Sequence, residues 1–157
     1  MKKRKAYRPR PVLLNPMGYV LDGMSSVKRH SSHILDLQLK NHAALSNLTK
    51  GVATRRDMDY LVAMVNMVEA LYRLGFGLEY EAEVRAGLDA LHAVGSRGAG
   101  SGKFILRASE MEAINTVMEL HDAQMDVITI NDLEKALKIV KDELVKNRAR
   151  VIKESQE

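Results

Sequence analysis

The stretch 54-TRRDMDYLVAMVNMVEALYRLG-75 decides the fold. Thr54 followed three residues later by Asp57 has the outline of a capping box, which opens a helix. Leu61, Val62, Met64, Val65, Met67, Val68, Leu71 and Leu74 then recur at helical intervals on more than one face. A helix apolar on more than one face is enclosed by others, so this one is expected at the centre of the molecule. Gly75 is its stop. Asn66, Glu69 and Arg73 interrupt the apolar run at steps of three and four, so they share a face. A lone buried charge is costly. That face therefore either meets solvent or forms a paired network, a ligand pocket or a subunit contact.

Working outward, Ile34, Leu37, Ala44, Leu45 and Leu48 predict a preceding helix to Thr49, stopped by Gly51 and starting at Ser31 or Ser32, with an earlier start near Ser25 or Ser26 as the alternative. After Gly75 a helix over 78–94 carries Tyr80, Val84, Leu88, Leu91 and Val94, with Glu79, Glu81 and Glu83 complementing the dipole at its start. Ser109-Glu110-Met111-Glu112 reads as another capping box, opening a helix with Met111, Ile114, Val117, Met118 and Leu120 that reaches about Val127. A last helix begins near Thr129 or Asn131 and carries Leu133, Leu137, Val140, Leu144 and, further on, Val151. Asn15-Pro16 signals a short helix ending at Gly23. No strand pattern competes. The expected fold is all-α: a helical bundle of about five long helices plus one short N-terminal helix, with an extended basic N-terminal arm. The domain division is an arm over 1–14 and one helical domain over 15–157.

Charge sets the arm apart. Residues 1–10 hold Lys2, Lys3, Arg4, Lys5, Arg8 and Arg10 and no acid. Of 24 basic and 20 acidic residues, that leaves 18 basic against 20 acidic in the rest of the chain, a net charge of −2. All three prolines, Pro9, Pro11 and Pro16, fall in the first sixteen residues, and X-Pro steps favour extended backbone. Six cations with Tyr7 suit a polyanion, because phosphates attract Lys and Arg without regard to sequence. The same block also fits a localisation tag or a solubilising tail. Val12, Leu13 and Leu14 give the arm apolar residues that could lie on the body.

Several chemistries lose their candidates. Cysteine is absent, which removes disulfides, thiolate nucleophiles and sulfur-based zinc sites. Neither Glu-x-x-His nor His-Glu-x-x-His occurs around His30, His33, His42, His92 or His121, so no metal and no cofactor are expected. His121 and Asp122 are neighbours and point to different sides of a helix, so they are not read as a catalytic pair. No catalytic residue is assigned. The glycine-rich 95-GSRGAGSGK-103 matches half of a phosphate loop, but Arg97 stands where the first glycine belongs and Phe104 where the magnesium-binding hydroxyl belongs. A weaker reading remains, an anion-binding loop of Arg97, Gly98, Gly100, Gly102 and Lys103, beside the plainer one of a mobile linker. The methionines, among them Met58, Met64, Met67, Met111 and Met118, fit core filling. No run of about 18 apolar residues marks a membrane span, and Arg8 and Arg10 break up any signal peptide, so a cytoplasmic protein is expected.

Three segments carry a resemblance: Lys3 to Val12 (KRKAYRPRPV); Leu39 to Gly51, with His42 and Leu48-Thr49; and Leu120-His121-Asp122-Ala123-Gln124. Together they resemble small helical accessory proteins of proteobacterial tailed phages and prophages, over most of the chain. The resemblance implies a setting, binding to host or phage molecules in the bacterial cytoplasm, and carries no activity or functional residue. The expectation is a non-enzymatic, oligomeric accessory protein that contacts nucleic acid through residues 2–10. The alternative is an inhibitor or sequestering protein acting against a host defence factor, through a protein contact or its small anionic ligand.

Overall fold

The computed structural model of the chain describes residues 21, 23–27 and 31–146. Among residues 31–146 five α-helices follow one another: α1 (Ser31–Thr49), α2 (Arg55–Arg73), α3 (Glu81–Gly98), α4 (Ala108–Val127) and α5 (Ile130–Val145). No strand occurs among the described residues, so the all-α bundle is the observed class. The arm and nearly all of the short N-terminal helix lie outside the described residues, as does Val151.

Helix α2 is central because it packs against each of the other four. Its start is the capping box read from the sequence: Asp57 Oδ2 accepts the Thr54 amide at 2.7 Å, and Thr54 Oγ1 accepts the Asp57 amide at 3.3 Å. Burial raises the cost of ionising Asp57, but donors from Thr54 and Asn47 outweigh it and hold the carboxyl below its usual range. Met58, Leu61, Met64, Val65, Val68 and Leu71 bury their side chains from successive turns. All but Leu71 form the main core with Ala44, Leu45 and Leu48 of α1, Val84, Leu91 and Val94 of α3, and Ile114, Val117 and Met118 of α4. A smaller core gathers Val27, Leu71, Met125, Ile128 and Ala136 where α5 meets the end of α2. There Thr129 caps α5 reciprocally with Asp132.

Four boundaries or faces differ from the sequence expectation. The helix expected over 78–94 is two elements, a 3₁₀ turn Leu78–Tyr80 and α3, and Leu78 and Tyr80 are exposed. Helix α3 continues to Gly98, four residues past the expected end, so half of the glycine-rich segment is helical. Gly95 and Gly98 are buried there, and a methyl group at Gly98 would approach the Lys103 carbonyl oxygen to 2.7 Å. Glycine serves close approach here rather than flexibility. Helix α4 is capped at Arg107, not Ser109, because Glu110 Oε2 takes the Arg107 amide at 2.9 Å. An arginine side chain has no acceptor, so only that half of a capping box is made.

The apolar stripes also bury less than expected. Leu37 and Met111 are exposed, and the fully buried residues of α1 lie in its C-terminal half, with Ile34 half-buried against the smaller core. On α5 the buried residue is Ala136, whereas Leu137 and Leu144 are about half exposed. Ala136 is fully buried in the smaller core, with Leu133, Ile139 and Val140 half-buried beside it.

Candidate functional site

The face defined by Asn66, Glu69 and Arg73 borders a groove. Helix α2 forms its base, with α3 and α5 as its walls. The lining is mainly apolar, from Val62, Val65, Leu88, Leu91, Ile139 and Val140, and it encloses about 850 Å³ with its solvent mouth. Asn66, Glu69, Arg73, His92 and Glu143 supply the polar groups. Arg73 Nη2 donates to Glu69 Oε1 at 2.8 Å, one turn away, and Arg73 Nη1 lies 3.6 Å from Glu143 Oε1 of α5. The guanidinium is thus shared between two carboxylates. The result is an apolar groove with a self-paired polar edge, an arrangement that takes an apolar group and holds no spare cation for an anion.

A second polar cluster joins α1 to α4. Asp122 Oδ1 accepts Gln38 Nε2 at 2.9 Å, and Asp122 Oδ2 lies 2.7 Å from His42 Nε2. Asp122 does therefore take part in a His–Asp pair, with His42 from another helix rather than with its neighbour His121. The His121 ring is buried, and its Nδ1 stands 3.6 Å from Asp122 Oδ1, beyond hydrogen-bonding distance. Burial disfavours the imidazolium more than Asp122 favours it, so the pKa of His121 is pushed down. Burial works against the Asp122 carboxylate too, but the donors on His42 and Gln38 prevail and its pKa is lowered. Among the described residues no group of three or more His, Cys, Asp or Glu could hold a metal ion.

The residues proposed as an anion-binding loop have separate surroundings. Arg97 points back to α4, where Nη1 and Nη2 each lie 2.6 Å from a Glu110 carboxylate oxygen, and Nη2 also donates to the Ile105 carbonyl at 3.0 Å. That hydrogen-bonded pairing lowers the pKa of Glu110 and raises that of Arg97. Gly98 is packed against Phe104, Gly100 has open space, and Gly102 turns the chain with φ +69°. The Lys103 side chain is exposed. The structure brings Arg97 to an acid, not to Lys103. Lys2, Lys3, Arg4, Lys5, Arg8 and Arg10 lie outside the described residues.

Sequence reasoning found the Asn66–Glu69–Arg73 face from its spacing. It missed Glu143 and Gln38, whose partners are 70 and 84 positions away and carry no periodic signal. No helix among the described residues is long and apolar enough to cross a membrane. Compared with protein-family models, curated proteins and solved structures, the chain matches none.

Proposed function

We propose that this chain is a non-enzymatic accessory binding protein of the phage type that contacts nucleic acid through Lys2, Lys3, Arg4, Lys5, Arg8 and Arg10. The observation that carries the reading is the segregation of charge: six cations and no acid in ten residues, against a net −2 over the rest. Within the body, Lys40, Arg73, Arg85 and Arg97 are each paired with a carboxylate, so those four are less open to phosphates. Assembly of several copies would multiply the arms and raise affinity by avidity.

The test is binding of DNA and RNA across a salt titration, by the full chain and by a chain lacking residues 1–10. If all six cations engage duplex DNA, log K falls against log salt with a slope of roughly −5. Equal binding by both chains, or none by either, removes the reading.

The groove favours a second reading, an inhibitor or sequestering protein directed at a host factor. Its apolar base suits an apolar side chain or ring of the partner, and the shared Arg73 disfavours a small anion. That activity would survive loss of residues 1–10 and fail when Val62 or Leu88 is enlarged to fill the groove.

A further inference from the structure

Helix α5 leaves an apolar strip uncovered. Leu137 and Leu144 are 52% and 53% exposed, and they stand seven residues apart on the flank that continues from half-buried Leu133. Seven residues are two turns, so the two leucines form one strip about 10 Å long.

The chain that enters the body runs beside this helix. The Val27 amide donates to the Ile128 carbonyl at 3.1 Å, and the Ile130 amide to the Ser25 carbonyl at 3.0 Å. Ser26 and Thr129 form an antiparallel bridge between them. Gly23 comes next, and a methyl group there would meet Asn131 Cγ at 2.9 Å. Stepping back from 27 to 23 therefore advances from 128 to 131, toward and into α5. The sequence that leads into Leu21 includes Val12, Leu13, Leu14, Met17, Tyr19 and Val20.

We infer that the Leu137–Leu144 strip of α5 is the seat of the chain's own segment 12–20. The reach is sufficient. With the short helix expected to run from Pro16 to Gly23, Leu21 back to Leu13 reaches about 17 Å, while Asn131, where Gly23 sits, to Leu137 spans about 9 Å of helix. Two leucines offer far less than the roughly 800 Å² per partner that a stable dimer buries, so a second copy fits the strip less well. The docking is independent of whether the arm binds nucleic acid. It would carry residues 2–10 toward the C-terminal half of α5, where Lys141 and Lys146 are exposed.

The absence of cysteine allows a direct test in the full chain. Leu13→Cys is combined with Leu137→Cys, with Leu144→Cys, or with Glu112→Cys at an exposed position on α4 as the control. Each is oxidised at low micromolar concentration, and the products are separated by mass under non-reducing conditions. Docking predicts intramolecular disulfide at 137 or 144 at least ten times faster than at 112. Equal rates at all three positions overturn the inference. So does a product dominated by disulfide-linked dimers, which would assign the strip to a second copy. Hydrogen exchange of the cysteine-free chain gives a second readout: Leu137→Glu should speed amide exchange over 12–20 at least several-fold, and unchanged exchange there overturns the docking.

Discussion

His42 Nε2 lies 2.7 Å from Asp122 Oδ2, a link between α1 and α4 made by residues 80 positions apart. Gln38 holds the other carboxylate oxygen, so two donors from α1 fix one acceptor on α4. The His42 side chain is half exposed, which limits the contact to the range of partly solvated polar pairs. A double-mutant cycle of His42→Ala and Asp122→Asn should return a coupling of about 0.5–1 kcal/mol. Additive losses in urea melts would show that the contact contributes no coupling.

The buried His121 behind this pair makes the fold acid-sensitive. Its folded pKa lies below the ordinary 6.5, so the unfolded chain binds the proton more readily. Its contribution is complete above pH 6.5 and is lost as pH falls through the folded value. Asp122, Asp57 and Glu110 have lowered values as well, and they add a further loss below about pH 4. Thermal melts should show Tm falling between pH 7 and 5, and His121→Gln should flatten that part of the curve. An identical slope in the variant would exclude His121 as its source.

Glu110 is nearly buried, and it accepts two guanidinium donors and a backbone amide. Glu110→Gln keeps the shape but removes the charge facing Arg97. Because Arg97 is about one-third exposed, the loss is expected at about 1–3 kcal/mol rather than the larger cost of a fully buried pair. Chemical denaturation measures it, and a loss below about 0.5 kcal/mol would show that solvent replaces the carboxylate.

Gly87 lies within α3, where alanine ordinarily gains about 1 kcal/mol in helix propensity. Here a methyl group would collide with the side chain of Val117 on α4. Valine is stiff about χ1, and overpacking costs about 1–3 kcal/mol. Gly87→Ala should therefore destabilise by up to about 2 kcal/mol. A stabilised variant would mean that α3 and α4 move apart freely.

Much of this architecture was legible because it is local. Thr54 and Asp57 declare the start of α2 within four residues, and the apolar pattern of α2 marks it as central. The end of α3 was not legible. Glycine-rich composition reads as a loop, and only Phe104, folded back against Gly98, shows why those glycines sit in a helix. Arg97 looked like a cation for an anion until Glu110, across a turn, took both of its nitrogens. On α5 the leucine stripe was correctly helical but assigned to the core, because periodicity gives a face and not what the face meets. Of the five polar residues at the groove, three on α2 are readable from their spacing, whereas His92 and Glu143 join them only through the packing of α3 and α5.

The pairing of Ser25 with Ile130 has a kinetic consequence. It closes a loop of about a hundred residues, whose ends meet at an entropic cost of about 4 kcal/mol, far above that of the helix-to-helix turns. That cost falls sharply once α1, α2, α4 and α5 have assembled and brought the two stretches together. The seam should therefore be the last part of the described body to lock during refolding, with the Val27 and Ile130 amides gaining protection after those of α2 in pulse-labelled hydrogen exchange.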